Sequence, residues 1–142
     1  MRAWLLALAV AFTGAASAQD FPVAKRDYLL HCSGCHRATG EGAPSAGIPA
    51  FANSVAHIAA TDLGRTYLMH VPGIVSAGLP DRQTADVVNY VLDVWGDQEN
   101  HFTPEEVAKR RAIPVEDVVA LRREVATELE KQGKSIADYP WP

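Results

Sequence analysis

Residues 32–36 read CSGCH, and no other stretch of the chain narrows the possible folds so far. Cys32 and Cys35 are the only two cysteines. A disulfide between them would close so small a loop that it would add little stability. Three chemistries remain. A closed zinc site needs two more ligands, and no second Cys pair or His pair at ligand spacing is present. A thioredoxin-like redox pair needs a βαβ setting, and no strand alternation flanks the motif. Covalent haem attachment is the third, and C-x-x-C-H is its specific signal in an exported chain. Thiols at i and i+3 share one side of a helical turn. They can add to the two vinyl groups along one edge of a haem. His36, the next residue, is then carried under the iron as proximal ligand. The motif therefore predicts one covalent haem c and its iron, attached through Cys32 and Cys35 and ligated by His36.

Export is predicted by the first eighteen residues, MRAWLLALAVAFTGAASA. A positive charge at Arg2 precedes an apolar run from Trp4 to Phe12, and Ala16-Ser17-Ala18 forms an A-x-A cleavage pattern. These three ordered parts make a secretory signal peptide at 1–18. The apolar run is too short to cross a bilayer, and no later segment reads as a span. The mature chain is expected to begin near Gln19. A formal charge of −4, without a basic run, gives no nucleic-acid surface. An acidic periplasmic protein is expected.

The chain resembles the class I c-type cytochromes, and the resemblance extends beyond the motif. Those domains begin with a helix that runs into the haem motif, as AKRDYLLHCSGCH does here, and end with a helix that crosses it, as DRQTADVVNYVLDVW does. The resemblance implies that Ala24 and Tyr28 pack against Val87 and Tyr90. It also implies a proline carbonyl behind the proximal His, and Pro49 stands thirteen residues after His36. Such a bond fixes the imidazole tautomer and raises its basicity toward iron. The resemblance covers roughly residues 20–96.

The fold class is all-α, a cytochrome c-like domain at 19–96 followed by a C-terminal helical extension at 97–142. Helices are expected at about 23–35, 53–59, 62–70 with Thr61 or Asp62 as cap, and 81–95. Loops are expected at 36–53 and 72–80, with Pro72-Gly73 stopping the helix before them. In the extension, TPEE at 103–106 reads as a capping box in which Glu106 reaches back, and that helix must end before Pro114. The last helix is expected over 115–132, with Val118, Leu121, Val125 and Leu129 in one stripe, Arg122 mostly off it, and Gly133 as the stop. The extension is expected to pack on the core or on a partner. A chain stopped near Asp97 is expected to keep its haem.

The resemblance also implies a sixth iron ligand, usually a Met in the loop before the last helix. Here that loop, PGIVSAGLPD, holds no Met, His or Lys. The nearest donors are Met69 and His70. At 100° per residue, Leu63, Tyr67, Leu68 and Val71 gather on one face, taken as facing the haem, with Tyr67 and Leu68 packing on it. His70 then borders this face and Met69 lies nearly opposite. Three outcomes follow: His70 ligates, Met69 ligates, or the site is open. His31, His57 and His101 read as solvated surface residues. Two functions fit. One is a one-electron carrier, not an enzyme, between a periplasmic dehydrogenase and an oxidase or other cytochrome. The other is a haem protein whose weak sixth site binds a small ligand or peroxide.

Overall fold

A computed structural model describes residues 21–140. The signal peptide predicted at 1–18 lies outside them. Eight α-helices appear among the described residues: α1 (Phe21–His31), α2 (Ser33–His36), α3 (Val55–Ala59), α4 (Asp62–His70), α5 (Pro72–Ala77), α6 (Asp81–Trp95), α7 (Pro104–Arg111) and α8 (Val118–Lys131), with one 3-10 turn at Pro44–Ala46. A single extended bridge, Ala43 to Ile48, is the one β pairing among these residues. None of these helices is long and apolar enough to cross a membrane. The all-α reading holds.

Helix α1 packs against α6 through the expected residues. Ala24, Tyr28, Val87 and Tyr90 lie in one buried cluster, with the Tyr28 and Tyr90 rings 5.5 Å apart. The same cluster takes in Phe102 and Val107 from beyond residue 97. A second cluster joins Ile58 and Tyr67 to Val125 and Leu129, flanked by Leu63, Leu68, Val71, Val118 and Leu121. Helix α4 lies between the two clusters, and Leu68 touches both.

Local chemistry explains most boundaries. Thr61 caps α4, its Oγ1 accepting from the Gly64 N–H at 3.0 Å. Helix α6 spans 81–95 as expected. Gly133, at φ +72°, follows the end of α8.

Four expectations are corrected. The helix expected over 23–35 breaks at Cys32, whose φ of −119° separates α1 from the one-turn α2. The stretch 72–80 is not all loop. Pro72 opens α5, because a proline's fixed φ and missing N–H suit the first turn of a helix. The last helix starts at Val118, not 115, because the Asp117 carboxylate caps the N–H groups of Val119 and Ala120. Arg122, expected off the apolar stripe, is 2% exposed.

Candidate functional site

The Cys–His motif is built on a backbone that turns twice. Cys32 N–H donates to the Tyr28 carbonyl and closes α1, and the His36 N–H donates to the Cys32 carbonyl across α2. Arg37 then takes φ +61° and ψ 167°, a region that costs a residue with a Cβ about 1–3 kcal/mol. The Tyr28 hydroxyl donates to the Arg37 carbonyl, and Arg37 Nε donates to the Gly42 carbonyl. These bonds hold the chain in the strained exit.

The loop that follows needs glycine at two places. A Cβ on Gly40 would sit 2.5 Å from the Trp95 ring. One on Gly42 would sit 2.4 Å from the Ile48 carbonyl oxygen and 2.7 Å from that of Pro49. Both residues have positive φ. Their small size lets the loop fold back so that Pro49 and Phe51 reach His36. The Phe51 ring stacks on the His36 ring at 4.2 Å, and Tyr28, Trp95 and Tyr90 continue the aromatic wall. Sequence reasoning misses Phe51 and Trp95, since neither lies at helical spacing from the motif. The available signal is the paired Gly40 and Gly42, which bring a distant ring in close.

Electrostatics at the motif are those of a dry site. Burial pulls the His36 imidazole below its ordinary pKa, and the Pro49 backbone works against it. The contact with Pro49 falls short of a well-formed hydrogen bond, so Nδ1 is buried without a partner. Burial, then Cys35 and Asp27, push the Cys32 thiol up to about 11. Burial, then Cys32 and Tyr90, push Tyr28 up to about 12. No disulfide joins the two cysteines; Cys35 is exposed and Cys32 half-buried. Among the described residues no three His, Cys, Asp or Glu side chains converge on a point that could hold a metal ion. The zinc reading therefore lacks its ligand set.

What fits is a large apolar group tethered at the two thiols. Half-buried apolar side chains, namely Cys32, Phe51, Leu68, Ile74, Leu79 and Trp95, pack along the edge of the main core. The buried Nδ1 of His36 faces the Pro49 backbone, the kind of partner to which a metal-bound imidazole turns its outer N–H. No family model matches the chain. Among curated proteins, the chain is similar to cytochrome c-552 of Thermus thermophilus, 34% identical over 119 residues, covering 66% of this chain and 90% of the relative. A second cytochrome c-552, from a named strain of the same organism, is 34% identical over 119 residues, covering 66% of this chain and 80% of the relative.

The chain belongs to the class I c-type cytochromes. As such a cytochrome it carries covalently bound haem c with iron and serves as an electron carrier.

The segment that carries Met69 and His70 departs from the expected arrangement. Helix α4 persists through His70, so Pro72 does not unwind its last turn. The face formed by Leu63, Tyr67, Leu68 and Val71 lies under α8, not against the motif. The Tyr67 ring sits with Ile58, Val125 and Leu129, and its hydroxyl accepts from Arg122 Nη1 at 3.2 Å. Leu68 is the member of the pair that also touches the main core.

Met69 is not on a surface either. It is 1% exposed within the main core, and protein atoms enclose its side chain. His70 is half-buried. Its Nδ1 lies 2.9 Å from the Thr66 carbonyl oxygen. A carbonyl only accepts, so Nδ1 carries the proton and the lone pair of the neutral ring stands on Nε2. His57 and His101 are not freely solvated as expected. His57 Nδ1 donates to the Ser135 carbonyl at 3.0 Å, and His101 Nε2 pairs with Asp93 at 2.8 Å. His31 is exposed, as expected.

Proposed function

We propose that this cytochrome is a periplasmic mono-haem carrier in which Cys32 and Cys35 form the two thioethers, His36 is the proximal ligand and His70 the distal one. It passes single electrons from a periplasmic dehydrogenase to an oxidase or another cytochrome. The observation that carries the distal assignment is the bond from His70 Nδ1 to the Thr66 carbonyl. That bond leaves a lone pair on Nε2, and a backbone carbonyl is the usual outer partner of a metal-bound imidazole. Met69, buried in the cluster that Cys32 and Phe51 pack against, is the alternative donor that the Met69→Ala spectrum tests. When bound, the haem supplies a reversible one-electron iron couple.

The chain's own residues set how that couple is used. Pro49 faces His36 and opposes the effect of burial on its ring, a bias toward a more basic imidazole. Tyr28, Phe51, Tyr90 and Trp95 exclude water from the proximal side. Cys35 is exposed, so a haem held there could be reached by a partner from the side of the motif. Export rests on the segment at 1–18 and predicts a mature N-terminus near Gln19, to be checked by N-terminal sequencing of the exported protein.

The test is the spectrum of the purified holoprotein beside His70→Ala and Met69→Ala. The wild type should be low-spin without the long-wavelength Met–Fe(III) band, and its potential should be lower than that of a Met-ligated cytochrome. Met69→Ala should stay low-spin. His70→Ala should turn high-spin and bind CO readily when reduced. An unchanged low-spin spectrum in His70→Ala would sink the assignment.

A further inference from the structure

Three arginines tie α4 to its surroundings: Arg65 from α4 itself, and Arg110 and Arg122 from the extension. Arg65 uses all five of its N–H donors. Nε and Nη2 make a bidentate pair with the Glu106 carboxylate, both at 2.6 Å. Nη1 donates to the Ala59 and Asn100 carbonyls, and Nη2 also donates to that of His101. Its guanidinium lies 3.8 Å over the Phe102 ring. Arg110, on α7, donates from Nε to Glu106 at 2.7 Å. Its Nη1 donates to the Asp62 carbonyl and to Thr66 Oγ1, both at 2.9 Å, and its Nη2 to the Asp62 carboxylate at 2.8 Å. On the other side of α4, buried Arg122 donates to the Tyr67 hydroxyl and to the Ala137 carbonyl.

One residue joins this network to the imidazole. Thr66 accepts from Arg110 through its hydroxyl and from His70 through its carbonyl. Planar guanidinium forks are directional, and each satisfied fork removes rotational freedom from the helix it holds. Glu106 sets Arg65 and Arg110 together, since one carboxylate serves both. The arginine side chains are 14% and 12% exposed, so water competes weakly.

We propose that Arg110, set by Glu106, is a positioning residue for the distal iron ligand: through Thr66 it holds the last turn of α4 so that His70 presents Nε2 at a fixed place. The extension is on this view part of the haem site, although none of its residues need touch the haem. The proposal rests on His70 being that ligand, and the experiment reads the two separately.

The experiment measures CO binding to the reduced holoprotein, which is limited by release of the distal ligand. His70→Ala alone reports the ligand. Arg110→Ala is made in the wild type and in His70→Ala. In the wild type it should raise the CO-binding rate about tenfold, the effect of losing a charge-assisted bond to a buried acceptor. In the His70→Ala background it should change the rate by less than about twofold, because the positioned group is gone. Arg110→Lys keeps a charge for Glu106 but cannot reach Asp62 and Thr66 together, and should fall between the two; it also serves if Arg110→Ala yields no holoprotein. Unchanged rates in the wild-type background would overturn the positioning role. Equal acceleration in both backgrounds would overturn it too, as general loosening. A His70→Ala protein that resists CO as the wild type does would overturn the ligand assignment, and with it the route through Thr66.

Discussion

Two junctions of the molecule, α1 with α6 and the extension with the helices before it, are built from different chemistry. Toward α1 and α6 the protein is held by rings and aliphatics: Tyr28, Tyr90 and Trp95 lie within 5.2 to 6.0 Å of one another, with Val87, Val91 and Leu92 beneath. Toward α7 and α8 it is held by guanidinium forks, a buried Asn and capped carboxylates as well as by Val125 and Leu129. Apolar burial is roughly proportional to area and has no preferred direction. Charge-assisted hydrogen bonds are directional and cost dearly when half-made. The first junction therefore brings the helices together, and the second selects one rotation of α4.

The sharpest break in this comparison comes from removing residues after Gly96. The sequence alone leads one to expect that such a chain keeps its haem. The structure argues otherwise, because Phe102 and Val107 sit in the same core cluster as Tyr28 and Met69. Truncation should strip two core side chains, leave Asn89 without its Phe102 partners and leave Arg65 with the Ala59 carbonyl alone. We expect little folded holoprotein, measured as haem absorbance per unit of purified chain. Full haem loading in the truncated chain would show that the aromatic surface suffices alone.

A single residue tests the same junction next. Asn89 donates to the Phe102 carbonyl at 2.9 Å and accepts from the Phe102 N–H at 2.7 Å, all buried. Asn89→Ala leaves both backbone groups unmet and should cost about 2–4 kcal/mol by denaturant titration. A loss under about 1 kcal/mol would mean that water replaces both bonds.

Glu106 gives a pH signature that the aromatic surface lacks. Hydrogen bonding from Arg65, then pairing with Arg110, outweighs burial and holds its carboxyl at about 2, against an ordinary 4.5. A folded-state pKa below the unfolded one means stability present above the ordinary value and lost as pH falls through the folded one. The full shift corresponds to about 3 kcal/mol. Its side chain is 23% exposed, so solvent screening reduces this, and wild type should lose about 2 kcal/mol between pH 5 and 2 from this group. Glu106→Gln should be less stable at pH 7 by about 2 kcal/mol and should lack that part of the acid slope. Identical acid slopes in the two proteins would show that the pair contributes nothing net.

The smallest contrast pairs two tyrosines. Tyr67→Phe removes the acceptor for Arg122 on the extension surface, and Tyr28→Phe removes the donor that steadies Arg37 beside the motif. Each should cost about 1 kcal/mol by denaturant titration. Only Tyr28→Phe should also lower the yield of covalently attached haem, since Arg37 is the strained exit of the motif.

The motif and its helices are legible in the sequence because their chemistry is local. C-x-x-C-H needs five consecutive residues, Thr61 and Thr103 cap the N–H three residues on, and α6 follows from apolar spacing alone. Glu106 shows where local reasoning ends. Its position marks it as the reaching arm of a capping box, but two arginines at distances of 41 and 4 residues in sequence claim its carboxylate. Helical spacing finds the apolar face of α4 but points it at the haem, whereas it lies under α8. Periodicity says which side of a helix is buried and cannot say against what. The burial of Met69 escapes for the same reason: a helix covered on two sides has no exposed face to find.

Residue order is enough to specify one covalent haem site, an all-α chain and most helix ends, because attachment chemistry, caps and helical spacing act over one or two turns. The partner of α4, the burial of Met69 and Arg122, and the tautomer and setting of His70 come only from the assembled structure. Except for the His70 tautomer, set by the Thr66 carbonyl one turn back, those properties depend on groups far apart in sequence meeting at hydrogen-bond distance, as Arg110 meets Thr66 and His57 meets the Ser135 carbonyl, and spacing along a chain carries no information about such meetings until the helices are packed.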